Sequence, residues 1–204
     1  LMVGSRGTLG VLLEVTLKVV PRPEVEKTLV LPRTAAAASS EWSVLQGQSN
    51  LFSGLANDGS WSYLRIAGPE RAVARVQADL GTDEAADGPS FWYRLKEQKS
   101  RFFTFPPLGN SLWRLSVPAA SRLGEIEGIW FEDWGGALRW LRTDVPEDQV
   151  FKIAEEAGGH ARLFRTRTPI THLAQPLSPA LKDLNQRVKQ AFDPRGIFNP
   201  GVTP

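Results

Sequence analysis

The residues that most restrict this chain lie in its first twenty: Gly4-Ser5-Arg6-Gly7-Thr8-Leu9-Gly10, followed directly by Val11-Leu12-Leu13-Glu14-Val15-Thr16-Leu17-Lys18-Val19-Val20. Glycines three apart allow a tight bend that can approach a ligand closely, because no Cβ intervenes. Val11, Leu13, Val15, Leu17 and Val19 alternate against Glu14, Thr16 and Lys18. That period of two predicts a half-buried strand, ended by Pro21 and Pro23. A dinucleotide-binding turn of similar spacing needs a helix after its glycines, to aim amides and the helix dipole at a pyrophosphate. A strand follows here, so that arrangement is excluded. Two readings remain. The glycines form a structural turn, or they form a ligand loop in which Ser5 and Thr8 offer hydroxyls and Gly7 and Gly10 offer amides to phosphate or ribose oxygens.

The motif begins with no polar leader before it, as if internal, so the chain reads as a piece of a longer protein. Its 204 residues, 42% hydrophobic, suffice for a real core. With 24 basic and 22 acidic residues the formal net charge is +2, which gives no electrostatic case for nucleic acid. Lys96, Lys99 and Arg101 are the densest basic group and read as a solvated face. The absence of cysteine removes thiol catalysis and any iron–sulfur cluster held by this chain. No apolar run approaches the roughly 18 residues of a membrane span, and Glu14 and Lys18 break the first one, so the start is no signal peptide.

Further along, residues 26–31 read as a strand and 35–45 as a helix capped by Thr34. Strands near 51–56 and 61–67 flank the turn Asn57-Asp58-Gly59. Pro69 opens a helix bearing Val73, Val76 and Leu80, which Gly81 closes. The rhythm then repeats: a helix over 91–99, a strand over 112–117, and strands over 129–134 and 137–142 joined through Gly135-Gly136. A helix starts at Pro146-Glu147-Asp148 and stops at Gly158-Gly159, and 160–165 is a last strand. Strand–helix–strand–strand–helix, seen twice, predicts an α+β fold: an antiparallel sheet with helices on one face, of ferredoxin-like type. At the end, Ser178 and Pro179 open a helix carrying Leu181, Leu184, Val188 and Phe192, with Asp183 and Arg187 placed to pair. Asp193-Pro194-Arg195-Gly196 breaks it, and Ile197-Phe198-Asn199-Pro200-Gly201 runs on as an extended tail that should dock on something.

Few side chains present themselves for chemistry. His160 follows a helix stop, where it can cap carbonyls or pack on a strand, and His172 sits in a loop. Arg114, Arg139 and Arg142 lie in strands and either face a carboxylate or stand on the surface. Trp113, Trp130, Trp134 and Trp140, four of seven tryptophans, form an aromatic core or a partner surface.

Residues 4–18 closely resemble the second FAD-binding segment of the FAD-linked oxidases with the vanillyl-alcohol-oxidase type of flavin domain, and residues 193–201 resemble that family's carboxyl-terminal signature. Between them, Phe91-Trp92-Tyr93-Arg94-Leu95-Lys96-Glu97-Gln98 with Phe102-Phe103, and Ala157-Gly158-Gly159-His160-Ala161-Arg162-Leu163-Phe164-Arg165, look like the flavin subunits of bacterial glycolate dehydrogenases. The resemblance implies FAD as cofactor. It implies that residues 1–23 are the last strands of a flavin domain of the p-cresol-methylhydroxylase (PCMH) type, 24–175 a cap or substrate domain, and 176–204 a helix and tail returning to the flavin. Gly4, Ser5, Gly7, Thr8, Gly10 and Val11 would line FAD, largely through backbone, and Asn199 would lie near the flavin ring. Arg6 departs from the family pattern, since several members carry an acid there. The family's paired-histidine site in the cap is missing too, for no His-x-His occurs, so no catalytic or metal-binding residue is assigned. The implied function is a subunit of a complex that oxidises a small 2-hydroxy acid, glycolate, to glyoxylate. Its partners would be a sister flavin subunit and an iron–sulfur subunit. It would be cytoplasmic, or held peripherally at the inner membrane through those partners. The competing reading is a non-catalytic assembly module of the same complex.

Overall fold

Alternation in the sequence becomes strands of one hydrogen-bonded sheet. The structure, a computed structural model, describes residues 2–32, 42, 44, 45, 47, 49–104, 111–167 and 174–202. These fall into two compact units, residues 22–175 and residues 1–21 with 176–204.

The first unit is built on one antiparallel sheet. Its strands are β1 (Val25–Pro32), β2 (Phe52–Asn57), β3 (Trp61–Gly68), β4 (Asp83–Glu84), β5 (Ser111–Ser116), β6 (Ile129–Asp133), β7 (Leu138–Thr143) and β8 (His160–Thr166), in the order β4-β1-β3-β2-β6-β7-β5-β8. Each set of four, β1–β4 and β5–β8, is a ferredoxin-like half, and the halves join edge to edge where Asn57 of β2 opposes Glu132 of β6. The helices are α1 (Glu70–Leu80), α2 (Gly88–Lys96), the single turn α3 (Arg101–Thr104) and α4 (Glu147–Glu156). Trp42, Val44, Leu45 and Gly47 are also helical; the rest of the helix expected over 35–45, with its cap Thr34, lies outside the described residues.

Start and stop signals act locally as their chemistry predicts. Gly81 ends α1 in the left-handed conformation, φ 58° and ψ 39°, which a Cβ disfavours. Glu147 and Asp148 occupy the first turn of α4, where acids meet the positive helix end. Gly158 and Gly159 stop it, their amides bonding back to Glu155 and Ala154.

The sheet is covered on both sides. Residues opposed across a ladder share a face. Leu115, Leu141 and Leu163 pack with Val150 and Ile153 of α4, and Leu29, Leu64 and Ile66 pack with Val73 of α1. Trp113, fully buried, meets the edge of Phe151 with ring centroids 5.4 Å apart; such pairs add about 0.5–1.5 kcal/mol beyond the area buried. The expectation of helices on one face needs an addition. Helices α2 and α3 lie on the opposite face, where Leu95, Phe91, Trp92 and Phe103 pack on Ala56, Phe131, Leu138 and Trp140. The link joining the two halves thus builds a second core.

The second unit carries α5 (Pro179–Phe192), whose cap is Ser178, with Pro179 at the first helical position. Arg187 pairs with Asp183 at 3.2 Å. The strand expected over 11–20 is not formed: the segment pairs with no strand among the described residues, and Leu13, Leu17 and Val19 are 94, 76 and 81% exposed. Alternating side chains suit a strand, but a strand also requires a neighbour for its amides and carbonyls.

Candidate functional site

In the second unit, the bend at one end of the sequence and the tail at the other meet. Ser5, 6% exposed, and Thr8, fully buried, anchor the bend. The Thr8 amide and hydroxyl both donate to the Ser5 carbonyl, at 3.0 and 2.6 Å, so the Thr8 hydroxyl is turned inward and is not offered to a ligand. Gly4, Arg6 and Gly7 have φ of 86, 55 and 71°. A Cβ on Gly7 would stand 2.9 Å from Asn199 Nδ2. That amide nitrogen donates to the Arg6 carbonyl at 2.8 Å.

Lys189, in the last turn of α5, ties the two pieces together. Its Nζ donates to the carbonyls of Thr8 (2.6 Å) and Phe198 (2.7 Å) and to Asp193 Oδ2 (2.5 Å). Asp193 accepts from the amides of Ile197 and Phe198. The Lys189 hydrogen bond, helped by those amides, lowers its pKa to about 2. Gly7 and Gly10 have no acceptor for their amides among the described residues. Two amides without an internal acceptor, on exposed or half-exposed residues of a tight bend, can bind phosphate or ribose oxygens. Gly4, Ser5, Gly7, Thr8, Gly10 and Asn199 therefore belong to one loop-and-tail constellation, while Val11, 68% exposed, begins the unpaired run. Sequence reasoning missed Lys189 and Asp193, whose i, i+4 spacing at a helix end was the available signal.

In the unit of residues 22–175, a cleft of about 920 Å³ lies on the face that α2 half covers. Its residues come from both ferredoxin-like halves: Ser53, Gly54 and Arg65 from one, Arg114, Asp133 and Trp140 from the other, with Trp92 and Lys96 of α2 at the wall. A Cβ on Gly54 would stand 3.0 Å from the Trp92 ring. Arg65 bonds Ser53 twice at 3.0 Å and lies 5.0 Å from the Trp92 ring centre. Burial raises the Asp133 pKa, opposed by its hydrogen bond from the Trp134 amide and by Arg65. A cleft with aromatic walls, a few polar side chains and a perturbed acid is the ordinary form of a small-molecule site.

The three candidate arginines separate. Arg139 does face a carboxylate, but one of its own chain: it meets Glu132 at 3.5 Å, both side chains being 6% exposed. Arg142 Nη1 donates to the Phe102 carbonyl at 3.0 Å, and Arg114 alone of the three lines the cleft. His160 is exposed at the start of β8, opposite Ser116. His172 lies outside the described residues.

Residues 164–203 match the family "FAD linked oxidases, C-terminal domain", and this stretch holds the helix, latch and tail just described. The chain is 39% identical over 201 residues, 98% of its length, to the glycolate oxidase subunit GlcE of Escherichia coli (strain K12). The chain spans about 55% of the length of that relative.

Proposed function

We propose that this chain is the carboxyl-terminal part of an FAD-binding subunit of a glycolate (2-hydroxy-acid) dehydrogenase complex. In that complex glycolate is oxidised to glyoxylate, and electrons pass through flavin to an iron–sulfur partner. Residues 22–175 act as the cap domain; residues 1–21 and 176–204 belong to the flavin domain. The observation that carries the reading is the Asn199–Arg6 hydrogen bond: two motifs almost two hundred residues apart converge on one constellation, as one cofactor cradle requires. The residues fit the group. The Gly7 and Gly10 amides suit phosphate or ribose oxygens, and the Lys189–Asp193 latch holds Asn199 against the bend. When bound, FAD supplies the two-electron chemistry, and the protein binds and orients it. Among the described residues no helix is long and apolar enough to cross a membrane; attachment to a membrane would run through partner subunits.

The test is flavin absorbance of the protein isolated at its native length with its native partners. The expected preparation is yellow and turns over glycolate. Gly7→Val, which must leave a φ of 71° and displace Asn199, should lower flavin occupancy severalfold. Unchanged occupancy in that variant would reduce the bend to architecture.

A further inference from the structure

Arg114 sits in the middle of β5 and points across an apolar floor: its ladder partner is Trp140, and beyond that lies Phe131. Its Nη1 donates to Ser116 Oγ at 3.2 Å, and its guanidinium carbon lies 5.6 Å from the centre of the Trp134 ring. No carboxylate stands within 4 Å of it among the described residues. Its neighbours differ: Arg65 reaches Glu26, Arg94 pairs with Asp87, and Arg139 pairs with Glu132. A half-buried guanidinium with most of its planar donor fork unspent is a group that a carboxylate completes, in two parallel hydrogen bonds.

The turn after β6 adds a second observation. Trp134, Gly135 and Gly136 have φ of 52, 62 and 88°. Glycine adopts this region freely, and Gly135 and Gly136 are buried, but for a tryptophan it is costly, and Trp134, 62% exposed, does not offset that cost by burying its ring. What the turn achieves is to hold the ring over Arg114 and to face the Asp133 carboxylate into the cleft, with Oδ1 fixed by the Trp134 amide at 2.8 Å. Asp133 opposes Leu138, which opposes Ser116. Asp133 and the Arg114 brace are therefore on one face, two strand spacings or about 10 Å apart at the backbone, a gap that two side chains and a two- or three-carbon ligand fill.

We propose that this cleft binds a small 2-hydroxy carboxylate, with Arg114 holding the carboxylate under the Trp134 ring and Asp133 accepting a hydrogen bond from the hydroxyl. The choice of a hydroxy acid rests on the dehydrogenase reading above; the anion site at Arg114 does not. The proposal gives this chain a ligand site of its own, independent of one on a sister subunit.

The test is a tryptophan-fluorescence titration of the purified 204-residue chain with glycolate, acetate and uncharged acetamide. The expected result is saturation by glycolate with a Kd on the order of 1 mM, weaker binding of acetate and none of acetamide. Arg114→Met should weaken glycolate at least tenfold, as loss of a charge-assisted pair does, and Arg114→Lys should recover part of it. Asp133→Asn, which keeps the cap on the Trp134 amide, should bring glycolate and acetate to similar affinities. Circular dichroism checks that each variant is folded. Unchanged glycolate binding in folded Arg114→Met, absence of saturation in the parent chain, or an undiminished preference for glycolate in Asp133→Asn overturns the assignment. Saturation by a chain whose native-length form holds no flavin would retire the flavin reading and leave this site standing. A flavin-loaded protein whose chain shows no saturation retires this site alone.

Discussion

Glu132 and Arg139 are buried together on the side of the sheet that carries Leu115 and α4, and the guanidinium also donates to the carbonyls of Gly136 and Ser121. Arg139 thereby fixes the Trp134–Gly136 turn from below while Arg114 meets its ring from the other face. Removing one partner of such a pair strands a buried charge, which costs about 3–5 kcal/mol. Glu132→Ala should therefore lose stability of that size in urea denaturation of the chain, and Glu132→Ala with Arg139→Met should recover much of it. A loss below about 1 kcal/mol in the single variant would show that water reaches the pair. Asp193 sets the pH response of the loop-and-tail latch. Its folded pKa of about 2 lies below its ordinary 3.8, so its contribution is complete above about pH 4 and is lost as pH falls from there towards 2. Carboxyl titration by NMR should show Asp193 as the late-protonating acid, and Lys189→Met should return it towards 3.8. The helix-end spacing of Lys189 and Asp193 was legible in the sequence. Which of Arg114 and Arg139 lines the cleft was not, because β7 is buried on both sides and its alternation carries no inside and outside.

Elements were readable wherever their ends are set by local chemistry. Ser178-Pro179 and Gly81 mark helix termini where they stand, and β2, β3 and β5 fall within a residue or two of the expected bounds. Failure came where an element depends on a distant neighbour. Residues 11–20 alternate as well as β5 does, yet β5 has β7 and β8 beside it and 11–20 has no strand among the described residues. The cleft was invisible for a related reason. Gly54, Arg65, Trp92, Arg114 and Asp133 are spread over 80 residues, and only the pairing of two half-sheets gathers them. At Gly159 an element boundary is enforced by contact: a Cβ there would stand 2.1 Å from the Ser116 carbonyl. Gly159→Ala should push β8 away from β5 and lower stability by roughly 2–4 kcal/mol, seen as faster amide exchange across β5 and β8 than across β1 and β3. Equal exchange in the two halves would show that the chain absorbs the clash locally.

At the scale of the whole molecule, the apolar core and the loop-and-tail constellation belong to different units. All three buried clusters draw their residues from between Leu29 and Leu163, inside the unit of residues 22–175. Helix α5 buries no residue fully, and its unit is held by polar contacts such as the Lys189 latch together with buried Leu9, Ser5, Thr8 and Asp193. A helix of this length without a packed face is marginal in water. Two stabilities should therefore be measured in one chain. Residues 22–175 alone should fold cooperatively and melt within a few degrees of the same unit in the full chain. In the 204-residue chain, amides of α5 should exchange at lower denaturant than those of β3, β5 and β7. A single transition shared by α5 and the sheet, or an isolated 22–175 unit lacking near-ultraviolet dichroism from its tryptophans, would mean that the small unit is needed for the large one to fold. Under the predicted behaviour, the carboxylate cleft is built on the rigid unit, and the glycine bend with Asn199 sits on the unit that a bound dinucleotide would order. Ligand binding to the native state alone stabilises it in proportion to the logarithm of saturation, so cofactor loading should raise the α5 transition and leave that of the sheet where it was.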